Sequence, residues 1–187
     1  MNFNDIKTPE ELMTYLNQYF EYGVVDKNGK KIFDSNSEAF QNACNNDWTL
    51  RPVLQILKDK IGHCYDQVEV ERYWFDKHGY KTKTFWISAY QEEVENSGFC
   101  HTYLLFFENN MWKLFEHSDA SNRGIFEFKS VDEAVKWQAH NQIAHAENCI
   151  KPLNRYSVCI KEFSTPPTNI NMQQYLDFIN TSTDFHV

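Results

Sequence analysis

Two apolar runs, 99–107 and 111–117, are separated only by Glu108-Asn109-Asn110. Runs of this length rich in Phe, Tyr and Leu read as strands, and so short a link makes them a hairpin. Asparagine tolerates the left-handed φ that a tight two-residue turn demands, which favours Asn109-Asn110 as the turn. Glu108 then faces Met111, His101 lies opposite Ser118, and Glu116 is the diagonal neighbour of His101 on the same face. Diagonal pairs lie roughly 7–8 Å apart at the backbone, within reach of a glutamate and an imidazole. A three-residue loop would instead set His101 against His117 and make Asp119 the acid on that face.

A second constraint is Gly62-His63-Cys64-Tyr65-Asp66, which opens a helical segment ending at Gly79. Tyr65, Val68, Arg72 and Phe75 form its stripe, and Gly79 after Lys77-His78 suits a C-terminal cap. Gly62 fits a turn that needs unusual φ or close backbone approach. A cysteine at a helix start sits among N–H groups that no carbonyl has claimed, and their partial positive charge favours thiolate. Asp66 suits the same dipole and can reach back to a backbone N–H as a cap, whereas its charge opposes a thiolate nearby.

The remaining segments arrange themselves around these two. Thr8-Pro9-Glu10-Glu11 starts a helix with a capping box, Leu12, Tyr15, Leu16 and Tyr19 give its stripe, and Gly23 is read as its stop. A short hairpin surrounds Asn28-Gly29, a short helix covers 37–44, and Pro52 begins a helix striped by Val53, Leu54, Leu57 and Ile61. Residues 81–90 alternate as a strand and 91–98 read as an acidic loop. A loop at 119–124 leads to a strand at 125–128. Ser130 and Glu133 open a helix through about 146, whose weak stripe places it on the periphery. A strand over 155–163, a break at Pro166-Pro167 and a helix over 171–180 close the chain. The sum is one α+β domain over 1–187: a helical part at about 1–79, an antiparallel sheet at about 80–163, and a short C-terminal helix.

Composition limits what such a domain can do. With 42% hydrophobic residues a sizeable core can form, and 15 Phe and 10 Tyr make that core aromatic-rich. A net charge of −8 without a clustered basic stretch argues against nucleic acid and against an anionic membrane surface. The first residues have neither a basic nor an apolar region of the signal-peptide kind, and no apolar run is long enough to span a bilayer. Five cysteines, Cys44, Cys64, Cys100, Cys149 and Cys159, are an odd, widely spaced set. Reduced thiols in a cytoplasmic setting are therefore expected, with Cys44, Cys149 and Cys159 as packing residues.

Acyl chemistry through cysteine needs a thiolate, an imidazole that shuttles the proton, and a group that holds the imidazole. Cys64, His101 and Glu116 supply these types in that order. Metal binding is the chemical rival, since His63-Cys64 and Cys100-His101 are adjacent pairs. Neighbours on a strand point to opposite faces, however, and zinc-type spacing is missing, so neither metal nor cofactor is expected. Cys100 then reads as a core-facing residue behind His101.

Gly62-His63-Cys64-Tyr65-Asp66-Gln67-Val68-Glu69 resembles the nucleophile segment of transglutaminase-like proteins, which often read Gly-x-Cys-Trp-Asp. His101-Thr102-Tyr103-Leu104 and Trp112-Lys113-Leu114-Phe115-Glu116 resemble that superfamily's His and acid strands. The likeness is to its small bacterial branch and covers most of the chain. Tyr65 stands where Trp is common, and Glu116 where Asp is. The resemblance implies a papain-like fold with the cysteine on a helix packed against an antiparallel sheet that bears the histidine and the acid. It also implies a Cys-His-Glu triad acting on an amide or peptide through a thioester, by hydrolysis or by transfer. Trp48, Gln55, Asn45 and Asn46 are candidates for the second oxyanion donor beside the Cys64 N–H. The alternative is a catalytically inactive binding or regulatory module on the same fold.

Overall fold

The computed structural model describes residues 2–91, 98–149 and 156–187. Apart from its two end residues, the expected acidic loop lies outside the described residues, as does the side chain of Cys149. Helix α1 (Pro9–Tyr19) begins with the predicted box: Thr8 Oγ1 accepts from the Glu11 N–H at 3.2 Å, and Glu11 Oε2 from the Thr8 N–H at 3.3 Å. It ends before Gly23, and the chain passes straight into β1 (Glu21–Tyr22). Strands β2 (Val24–Val25) and β3 (Lys31–Ile32) form the small hairpin, with Gly29 at φ 80°. Helices α2 (Glu38–Asn46) and α3 (Val53–Asp59) follow, and then β4 (Ile61–Gly62). β4 pairs parallel with β1, setting Tyr22 beside Gly62.

Helix α4 (Cys64–Lys77) buries every side chain from Cys64 to Arg72. A single apolar stripe would suit a surface helix, whereas a helix enclosed all round is a central one. Several of its polar residues find partners there. Arg72, for example, donates to Glu69 Oε2 at 2.9 Å and to Thr84 Oγ1 at 3.1 Å.

The sheet comprises β5 (Lys81–Tyr90), β6 (Phe99–Glu108), β7 (Met111–Glu116), β8 (Gly124–Phe128), β9 (Ser157–Phe163) and β10 (Thr183–Asp184). Its order is β10-β9-β5-β6-β7-β8, antiparallel at each pairing. The architecture is α+β around an antiparallel sheet. Asn109 and Asn110 take φ 52° and 62°, and Glu108 faces Met111, so the two-residue turn sets the β6–β7 register. The edge strand β10 follows helix α6 (Met172–Asn180) and had no counterpart in the sequence reading.

Each sheet face has its own core. Beneath α4, Phe75 stacks on Phe106 with centroids 4.5 Å apart and meets Phe115 edge-on at 5.3 Å. Burying a Phe side chain contributes roughly 1.5–3 kcal/mol. Phe85, Ile87, Tyr103, Leu105 and Leu114 form the other core under helix α5 (Val131–Cys149), which contributes Ala134, Val135 and Ala139. The peripheral placement expected for α5 is therefore corrected. Small residues make up most of its buried face, with Trp137 packed on Phe126 and Phe128 beside them, and small residues let a helix approach a sheet closely. Among the described residues, no helix is long and apolar enough to cross a membrane.

Candidate active site

The turn before α4 depends on Gly62. A Cβ there would lie 2.4 Å from the Asp66 Cβ, a contact with the helix's own first turn that no rotamer relieves. Gly62→Ala is expected to destabilise the protein by about 1–3 kcal/mol, the usual penalty for overpacking. A denaturant midpoint shift at unchanged slope would report it.

His63, rather than Asp66, caps α4. Its Nδ1 accepts from the Tyr65 N–H at 3.2 Å. Burial, opposed by the Asp66 charge, holds the His63 imidazole below its usual pKa, which keeps that nitrogen an acceptor. Asp66 is fully buried, its Oδ2 3.5 Å from the capping His63 Nδ1. Its Oδ2 accepts from Trp48 Nε1 at 3.0 Å, and Oδ1 meets Arg51 Nη2 at 3.4 Å. The Arg51 guanidinium thus offsets the carboxylate charge that the sequence set against the thiol. Tyr65 is also a core residue, stacked on Tyr175 at 4.6 Å and accepting from Trp86 Nε1 at 3.3 Å.

His101 and Glu116 meet across the sheet: Nε2 lies 2.7 Å from Glu116 Oε2, both side chains buried. The contact lies beyond the last β6–β7 rung, Leu104–Phe115, where His101 has no partner on β7. Glu116 Oε1 accepts from the Asp119 N–H at 2.8 Å and from Ser118 Oγ at 3.4 Å. Asp119 therefore contributes its backbone, while its carboxylate accepts from Ser121 N–H and Asn122 Nδ2 within the loop. The Cys64 side chain is within hydrogen-bonding reach of the His101 side chain. With Nε2 occupied by Glu116, Nδ1 is the ring nitrogen left for the thiol. Burial alone would lower the His101 pKa. The Glu116 charge and the hydrogen bonds to Cys64 and Glu116 outweigh it and hold the imidazole well above its usual value. Cys64 retains 7% of its exposure and His101 8%.

These groups set an imidazole between a carboxylate and a sulfur, the arrangement that cysteine acyl transfer uses. Compared with models of known protein families and with curated proteins, the sequence matches none.

Further residues join the site that the sequence did not single out. Gln67 donates to the Gly62 carbonyl at 2.7 Å and accepts from His117 Nδ1, tying the turn before Cys64 to the residue after Glu116. Burial first and the Arg123 charge second bring His117 down to about 3, so it stays a neutral donor. Glu71, two turns below Cys64, is buried near Glu116. Burial, then the Glu116 charge, hold its carboxyl well above the usual range. Gln67 and Glu71 follow Cys64 at helical spacing, which was the available signal. His117 offered only its adjacency to Glu116.

The other thiols are of a different kind. Cys44 is pushed up to about 12, by burial first and then by the Cys64 and Asp66 charges. Cys100 is exposed, with its sulfur 3.5 Å from Ser88 Oγ, which corrects the core-facing reading. The four cysteines with described side chains are free, and no cluster of metal-ligating side chains occurs among the described residues.

Proposed function

We propose that this chain is a cysteine acyl-transfer enzyme of transglutaminase-like type. On this reading Cys64 is the nucleophile, His101 the general base and then acid, and Glu116 the group that orients and charges the imidazole. The observation that carries the proposal is the His101–Glu116 pair at 2.7 Å with the Cys64 thiol in reach of the same ring. A thiol at the first position of a buried helix, against a sheet bearing histidine and acid, is the papain-like arrangement that the sequence resemblance implies. The substrate class is an amide or peptide, and water or an amine completes the same thioester half-reaction. Free cysteines and a net charge of −8 support a reducing, cytoplasmic setting without nucleic acid or membrane as partner.

Iodoacetamide near neutral pH is the test. Cys64, though nearly covered, is expected to alkylate faster than the exposed Cys100, because reactivity follows thiolate character. Alkylation of Cys100 first would contradict the assignment. The near-complete cover of Cys64 favours a second reading, a non-catalytic module that keeps the fold. The two readings part on whether that cover opens to a small reagent.

A further inference from the structure

The acyl-transfer reading leaves one part of the chemistry without a residue. The tetrahedral intermediate needs two donors on its oxygen, and the Cys64 N–H is one. The four candidates read from sequence are spent or misplaced. Trp48 Nε1 donates to Asp66, Gln55 Nε2 to Asp59 and Asn46 Nδ2 to Asn42, while Asn45 is exposed.

Another donor lies closer. The parallel pairing of β1 with β4 sets Tyr22 beside Gly62, two residues before the nucleophile. The ring stacks on Phe40 with centroids 6.2 Å apart and planes 14° from parallel. Its hydroxyl is within hydrogen-bonding reach of the Cys64 backbone N–H and of the Cys64 sulfur. We propose that Tyr22 is a catalytic residue, its phenolic O–H forming the oxyanion hole together with the Cys64 N–H.

In the resting enzyme the phenol oxygen occupies the place that the substrate oxygen takes. An arriving carbonyl displaces it by about one hydrogen-bond length, ~3 Å. Tyr22 is suited to that shift, since its residue is 37% exposed and stands on a two-residue strand. Burial of the hydroxyl end, then the Cys64 and Cys44 charges, hold its pKa well above the usual tyrosine value, so it remains a donor.

The step balances. The Cys64 thiolate forms the S–C bond as the carbonyl π pair moves onto oxygen, which Tyr22 O–H and Cys64 N–H then hold. When the π bond re-forms, the C–N bond breaks and the amine leaves with the His101 proton. Water then gives a proton to His101 and attacks the thioester through a second oxyanion, and the thiolate departs.

This inference rests on the acyl-transfer reading, and two reactions of Cys64 separate the two claims. Acylation by p-nitrophenyl acetate builds an oxyanion, whereas alkylation by iodoacetamide displaces iodide at a saturated carbon and builds none. Tyr22→Phe keeps the ring on Phe40, and its acylation rate is expected to fall about 10²–10³-fold, the loss typical of one oxyanion donor. Its alkylation rate reads what loss of the phenol beside the sulfur does to the thiolate alone, and should change at least about tenfold less than the acylation rate. Equal or faster acylation by Tyr22→Phe would overturn the assignment, as would an equal loss in both reactions. A wild-type protein that alkylates at Cys64 but never acylates contradicts the acyl-transfer reading itself, and with it this role for Tyr22.

Discussion

Replacing His101 by Gln should slow acylation of Cys64 by an activated ester about 10²–10⁴-fold, the range ascribed to a positioned general acid–base group. Glutamine fills much of the imidazole's volume and can still hydrogen bond to Glu116, but it cannot accept a proton. Nδ1 of His101 is the nitrogen left to the thiol once Nε2 is bound 2.7 Å from Glu116. Without that ring the sulfur has no base. Stopped-flow release of p-nitrophenol reads the loss directly. A His101→Gln rate within about threefold of wild type would place the reactive thiol outside the control of this ring, far from the expected range.

Glu116→Gln carries the second large effect, and its signature is in pH. The His101 pKa is held above its usual value chiefly because the Glu116 charge and the hydrogen bonds overcome burial. A histidine whose native pKa is raised contributes stability that is fully present below about pH 6.5 and is lost as pH climbs through the raised value. Glu116→Gln removes the charge and leaves burial, so the buried ring sheds its proton and that contribution disappears. Near pH 6 the variant should be less stable by on the order of 3 kcal/mol, the lower end for breaking a buried pair, because the histidine can neutralise. Above about pH 6.5 the gap should narrow by up to about 1.4 kcal/mol per unit. Denaturant unfolding at a series of pH values checks this. Parallel stability curves for the two proteins would show that the pair does not titrate as described.

Much of this site could be read locally. Asn109 and Asn110 accept positive φ, and that one turn property fixed the β6–β7 register and chose Glu116 over Asp119. Thr8 and Ser130 announced their helices because capping is a contact within four residues. What escaped the sequence depends on residues far apart in the chain. Tyr22 lies beside Gly62 only through a two-residue parallel pairing, for which no periodicity exists. Asp66 fitted a cap by local rules, and tertiary partners, Trp48 and Arg51, took its carboxylate instead. Helix α5 looked peripheral because hydrophobicity scales weight large side chains, and its buried face is mostly alanine and valine, with Trp137 beside them. The buried acids of α4 were hidden by the same logic. Glu69 lies beside Arg72, yet burial still lifts it to about 7, an outcome set by the surrounding core and not by its neighbours in sequence.

The central claim is that Cys64, among five cysteines, is the one that forms a thioester. Brief treatment of the protein with p-nitrophenyl acetate, acid quench and peptide mass analysis tests it. The account predicts one acetyl group, on Cys64, formed in a burst and lost by hydrolysis, and no such adduct in Cys64→Ala. Acetylation spread over the other thiols, or an unchanged adduct in Cys64→Ala, would contradict it.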